Sequence, residues 1–163
     1  MARLRKKPRA RRRHGATLAA AVALALPAAL GAQEEVWQPA IHCAALDFTR
    51  AEMLEALGED APPRAGTPQG AELGGRTYLR IAAEAMGCPS TAQLETMLAA
   101  VKVGIAHRIE LAADYGHGPE VTVLPLASES ELVCRLHVDA ALLATARAAE
   151  EASPPAALCP GSG

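Results

Sequence analysis

The clearest pattern along the chain is a helical stripe over residues 91–113. Leu94, Met97, Leu98, Val101, Ile105, Ile109 and Ala112 recur every three to four residues, the spacing that aligns side chains on one face of an α-helix. Ser90 and Gln93 stand just before it as a capping box, with the hydroxyl and amide placed to satisfy backbone N–H groups that a first helical turn leaves open. Gly116, Gly118 and Pro119 then predict a loop over residues 114–120.

Weaker versions of this pattern appear on both sides. Over residues 39–57, Ile41, Ala44, Ala45 and Phe48 keep a helical period, Pro39 suits a first helical position and Gly58 suits the stop. A competing signal lies inside: Thr49 with Glu52 forms a capping box, and Phe48 with Met53 sits at staple positions, which would start the helix at Thr49. One helix kinked near Thr49 accommodates both. Residues 58–70 are rich in Pro and Gly and read as a loop. A second helix is predicted over 73–86, weakened at its start by Gly74 and Gly75 and stopped by Gly87.

Residues 121–126 are β-prone but lie between Pro119 and the internal Pro125, with no second strand to pair with. They read as an extended crossing. Ser128 with Glu131 gives a further capping box that opens a helix over 129–150, with Leu132, Leu136, Leu143 and Ala146 on one side. Ser153, Pro154 and Pro155 end it and leave a short, flexible C-terminal tail carrying Cys159. Four helices with mostly short connections predict an all-α fold, a small disulfide-stapled bundle.

The N-terminal segment follows a different pattern. Residues 1–14 hold eight Lys and Arg residues, residues 15–26 are uncharged and apolar, and Pro27 precedes the small residues Ala28, Ala29, Gly31 and Ala32. That order is a signal peptide over residues 1–32, cut after Gly31 or Ala32, which leaves one helical domain over 33–163. The apolar run is mostly alanine and falls short of the roughly 20 strongly apolar residues of a comfortable membrane span, so no stable span is expected after cleavage. Arg12-Arg13 hints at twin-arginine export, but His14-Gly15-Ala16 lacks the bulky apolar pair of that route, which favours Sec. The expected destination is the periplasm or the exterior.

Cleavage changes the charge. Eight of the 16 Lys and Arg residues lie in the leader and none of the 18 Asp and Glu residues do, so the remaining domain carries a formal charge of −10. A surface of that sign repels nucleic-acid phosphates and anionic lipid. With Trp37, Phe48, Tyr78 and Tyr115 as its only aromatic residues, the core must be aliphatic. Such a core favours close helix packing and gives no platform for a large planar cofactor, so none is expected.

Cys43, Cys88, Cys134 and Cys159 all follow the leader, and an even count in an exported chain implies disulfides. No CxxC occurs, which removes the spacing of zinc ribbons and thioredoxin-like redox pairs. His42 precedes Cys43, but adjacent residues on a helix point about 100° apart, so a Cys–His catalytic pair is disfavoured. An up-and-down bundle places Cys43 and Cys88 at one end and predicts pairing of Cys43 with Cys88 and of Cys134 with Cys159.

The best cluster for chemistry is His107, Glu110 and Asp114, at i, i+3 and i+7, with His117 and Glu120 in the following loop. Imidazole with carboxylate suits zinc or another divalent ion. The same residues also describe the solvated face opposite the Ile105–Ile109 stripe. Nucleophile elbow, phosphate loop, dinucleotide fingerprint and EF-hand patterns are missing from the sequence, and the chain has no asparagine to glycosylate. The sequence therefore favours an exported, non-enzymatic binding or accessory protein with a protein or small-ligand partner in the envelope. The alternative is a small metal-binding protein or metal-dependent enzyme using His107, Glu110, Asp114 and His117.

Overall fold

The computed structural model describes residues 26–152, with side chains from Val36 onward. Most of the expected leader and the Cys159 tail lie outside the described residues. The described residues are all-helical, in five α-helices with no strand: α1 Leu26–Leu57, α2 Pro68–Ala85, α3 Thr91–Asp114, α4 Pro119–His137 and α5 Ala140–Ala152.

α1 is the hub and packs against α2, α3 and α4. From Ala40 to Asp47 every residue except His42 is buried, so the helix is covered on nearly all sides. Alanine and cysteine at Cys43, Ala44 and Ala45 let the neighbouring helices come close. The helix starts well before the expected Pro39, which lies inside it. Leu, Ala, Gln and Glu dominate the preceding residues and are strong helix formers. Proline removes one backbone hydrogen bond there without ending the element. Thr49 starts no helix; it sits within α1 with its hydroxyl buried and without a partner among the described residues. Gly58 adopts φ +55° and stops α1 as expected.

α2 begins five residues before the predicted start. Thr67 accepts a hydrogen bond from the Gly70 amide at 3.1 Å, and Pro68 takes the first helical position. Gly74 and Gly75 are an asset of this helix and not a weak point. A Cβ at Gly74 would collide with Asp47, and one at Gly75 would sit 2.9 Å from the Phe48 ring, so the pair lets α1 and α2 approach closely. Gly87 (φ +71°) and Cys88 (φ +61°) then turn the chain out of α2, and the Cys88 amide returns to the Ala83 carbonyl at 2.7 Å. The capping box opens α3 as expected, with Ser90 and Gln93 each bonded to the other's backbone amide.

The C-terminal third departs furthest from expectation. Residues 121–126 are helical, because Pro119 is pre-set for a first helical turn and Val123, Leu126 and Ala127 then face the core. Ser128 and Glu131 lie in the middle of α4, so they cap nothing. The helix predicted over 129–150 is instead broken at Val138 and Asp139, where the Asp139 carboxylate accepts from the Ala141 and Leu142 amides at 2.9 and 3.1 Å and opens α5. Leu132 and Leu136 consequently miss the core and stand in solvent, while Leu143 and Ala146 pack inward.

Cys43 and Cys134 form a disulfide joining α1 to α4, with Cα atoms 5.8 Å apart. Cys88 is disulfide-bonded as well, and Cys159 lies outside the described residues. The expected pairs Cys43–Cys88 and Cys134–Cys159 are therefore corrected. The up-and-down argument assumed that Cys43 marks one end of the first helix, whereas the longer α1 puts it near the middle, level with the second half of α4.

Candidate functional site

Two of the cavities along α4 differ in chemistry. The polar one, of about 270 Å³, opens between α1, α2, α4 and α5. Its deepest charged group is Asp47 on α1, only 2 % exposed. Asp47 Oδ1 accepts from the Ser130 hydroxyl at 2.6 Å and from Arg50 Nη2 at 3.1 Å. Oδ2 lies over Gly74 and has no hydrogen-bond donor among the described residues. Burial pushes the Asp47 carboxyl up from its ordinary range, and the Ser130 hydrogen bond with the Arg50 and Arg147 charges offsets this only in part.

Tyr78 on α2 forms part of the same wall. It is 5 % exposed, and its hydroxyl has no hydrogen-bond partner among the described residues. Burial, reinforced by the Asp47 charge, pushes its phenol up. Arg135 from α4 and Arg147 from α5 complete a cationic rim with Arg50, opposed by the exposed Glu131. α5 is held in place beneath Arg147 by Glu150, a buried carboxylate on α5 that accepts from Arg80 Nε of α2 at 2.6 Å and lies 3.5 Å from Arg76 Nε. Ser130 gives its hydroxyl hydrogen to Asp47, and no histidine is among the residues that line this cleft.

The second cavity, about 240 Å³, lies where α3 and α4 meet only sparsely. Ile109, Ala112, Val121, Pro125 and Leu126 give it apolar walls. Its principal polar groups pair with one another. Glu129 holds Arg108 Nη1 at 3.0 Å through one oxygen and His42 Nε2 at 3.0 Å through the other, tying α4 to α3 and α1. Burial alone would raise the Glu129 carboxyl; the hydrogen bonds to His42 and Arg108 outweigh it and hold the group below its ordinary value.

The residues singled out for metal binding are placed apart from any such centre. His107 Nδ1 and Glu110 are 3.9 Å apart on the exposed face of α3, Asp114 is exposed at its end, and His117 lines the apolar cavity. Among the described residues no three His, Cys, Asp or Glu side chains gather into a group able to hold a metal ion. Cys43, beside His42 in sequence, is consumed in the disulfide, and His42 faces Glu129. Sequence reading missed Asp47, Tyr78, Arg135 and Arg147 because they come from four helices and share no local spacing.

Comparison of the chain with protein-family models, curated proteins and solved structures finds no match. No helix among the described residues is long and apolar enough to cross a membrane.

Proposed function

We propose that this is an exported, non-enzymatic binding protein whose arginine-rimmed cleft holds a small anionic molecule. The observation that carries the reading is the convergence of Arg50, Arg135 and Arg147 on one small cavity in a domain whose overall charge is strongly negative. Eight basic residues follow the leader, and three of them line this cleft. Guanidinium groups recognise carboxylate and phosphate in two-point geometry; Arg50 is largely buried, and Arg135 and Arg147 stand exposed at the rim. The acidic remainder of the surface discourages nucleic acid and anionic membranes, which leaves a small ligand as the partner that fits. Export is supported by the basic and apolar N-terminal pattern together with disulfide use.

The test is direct. Titration calorimetry of the purified protein with succinate, acetate and phosphate should show one saturable site for at least one of them, and Arg135→Gln with Arg147→Gln should weaken it by at least tenfold. Saturable binding unchanged in that double variant would move the site elsewhere. N-terminal sequencing of protein from the envelope fraction should begin at Ala32 or Gln33. Recovery of the intact Met1 terminus from the cytoplasm would refute export.

A further inference from the structure

We propose that the cleft is built for an acidic α-amino acid, a compact molecule with two carboxylates and one ammonium group; this rests on the reading of the cleft as an anion site. Three observations lead there. The first is charge. Arg50, Arg135 and Arg147 line the cleft together with Asp47 and Glu131, and Arg147 also pairs with Glu151 at 3.2 Å, so the walls offer cations for ligand carboxylates and a carboxylate for a ligand ammonium.

The second is the pair of open polar groups in the wall. Asp47 is buried and has spent only one of its two oxygens, on Ser130 and Arg50. Asp47 lines the cleft, and the natural complement of its second oxygen is a cationic donor brought by the ligand. That oxygen lies over Gly74, where any side chain would collide with it. The Tyr78 hydroxyl, similarly unmatched, offers a hydrogen bond to a carboxylate or accepts one from an ammonium. Ligand ammonium at Asp47 and ligand carboxylates at Arg135 and Arg147 would satisfy all of these groups together.

The third is size. A volume of about 270 Å³ falls just below the range of drug-sized pockets and suits a metabolite of few heavy atoms, not a peptide or nucleotide. A plain dicarboxylate would match the arginines but would leave Asp47 Oδ2 facing a third negative group. The ammonium is therefore what the buried aspartate selects.

Calorimetry on the intact mature protein with L-aspartate, succinate and L-alanine separates the possibilities. L-aspartate should bind at least tenfold tighter than succinate, which lacks the ammonium, and tighter than L-alanine, which lacks the second carboxylate. Asp47→Asn should bring L-aspartate down to the level of succinate while succinate binding persists. Because Asp47 is buried and its variant could unfold, the wild-type series decides the matter by itself. Equal binding of succinate and L-aspartate overturns the ammonium assignment and leaves the anion site standing. Equal binding of L-alanine and L-aspartate overturns the second carboxylate. No saturable binding of any of the three at millimolar concentration removes both this proposal and the anion reading beneath it.

Discussion

The two sides of α4 treat buried polarity in opposite ways. On the apolar side, Glu129 reaches both His42 and Arg108, and both of its oxygens are occupied. On the polar side, Asp47 is buried more deeply, yet among the described residues one of its oxygens has no donor and the hydroxyl of Tyr78 beside it has no partner. A structural network needs every buried donor and acceptor matched, because each mismatch costs about 1–3 kcal/mol. Among the described residues the fully buried side-chain polar atoms without a partner are Thr49 Oγ1, Arg50 Nε and Arg76 Nε, and of these only Arg50 lines the polar cleft. The pKa directions agree: the matched Glu129 is held low, and the under-matched Asp47 is pushed up by burial.

The largest test of this contrast is the tie between the two sides. Replacing Cys43 and Cys134 together by alanine opens a loop of 91 residues and should lower the unfolding free energy by roughly 4–5 kcal/mol in the chain-entropy account. Urea denaturation measures it. Both regions should loosen together, since the bond joins α1 to α4 in the core that they share. Loss confined to one side would break the comparison.

Next comes the cleft alone. Arg80→Met leaves the buried Glu150 with one less cation and should cost about 3 kcal/mol. Because α5 packs chiefly on α2, the change should also displace Arg147 and weaken ligand binding. An Arg80→Met protein that binds ligand normally would show that α5 is no essential wall of the site.

The smallest effect belongs to the matched side. Glu129→Gln should cost about 1–2 kcal/mol at neutral pH and leave ligand binding intact. A carboxyl depressed in the folded state contributes fully above its ordinary titration range and loses that contribution as pH falls through the depressed value. The stability difference between wild type and Glu129→Gln should thus be constant near neutrality and shrink in acid. Asp47 has the opposite sign: its raised carboxyl costs stability as pH climbs from the ordinary carboxylate value through the raised one. Melting curves of wild type, Glu129→Gln and Asp47→Asn from acid to neutral pH resolve the two slopes.

The chain sequence by itself determined the all-helical class, the extent of α3, its capping box, and the stops at Gly58 and Gly87. These are local matters, fixed by a 3.6-residue period, side chains within hydrogen-bond reach of their own backbone, and glycine's access to positive φ. It also marked Cys43, Cys88 and Cys134 as cross-links. Tertiary structure alone decided which sulfurs meet, because that depends on how far α1 extends on the side of Pro39 away from Gly58. It turned residues 121–126 helical against their β propensity, since burying Val123 and Leu126 outweighs a weak local preference. And it assembled the cleft from α1, α2, α4 and α5, whose contributing residues extend over 100 positions of the chain, from Asp47 to Arg147. Recognition chemistry gathered over such distances leaves no periodicity to read, whereas a helix writes its own spacing into every turn.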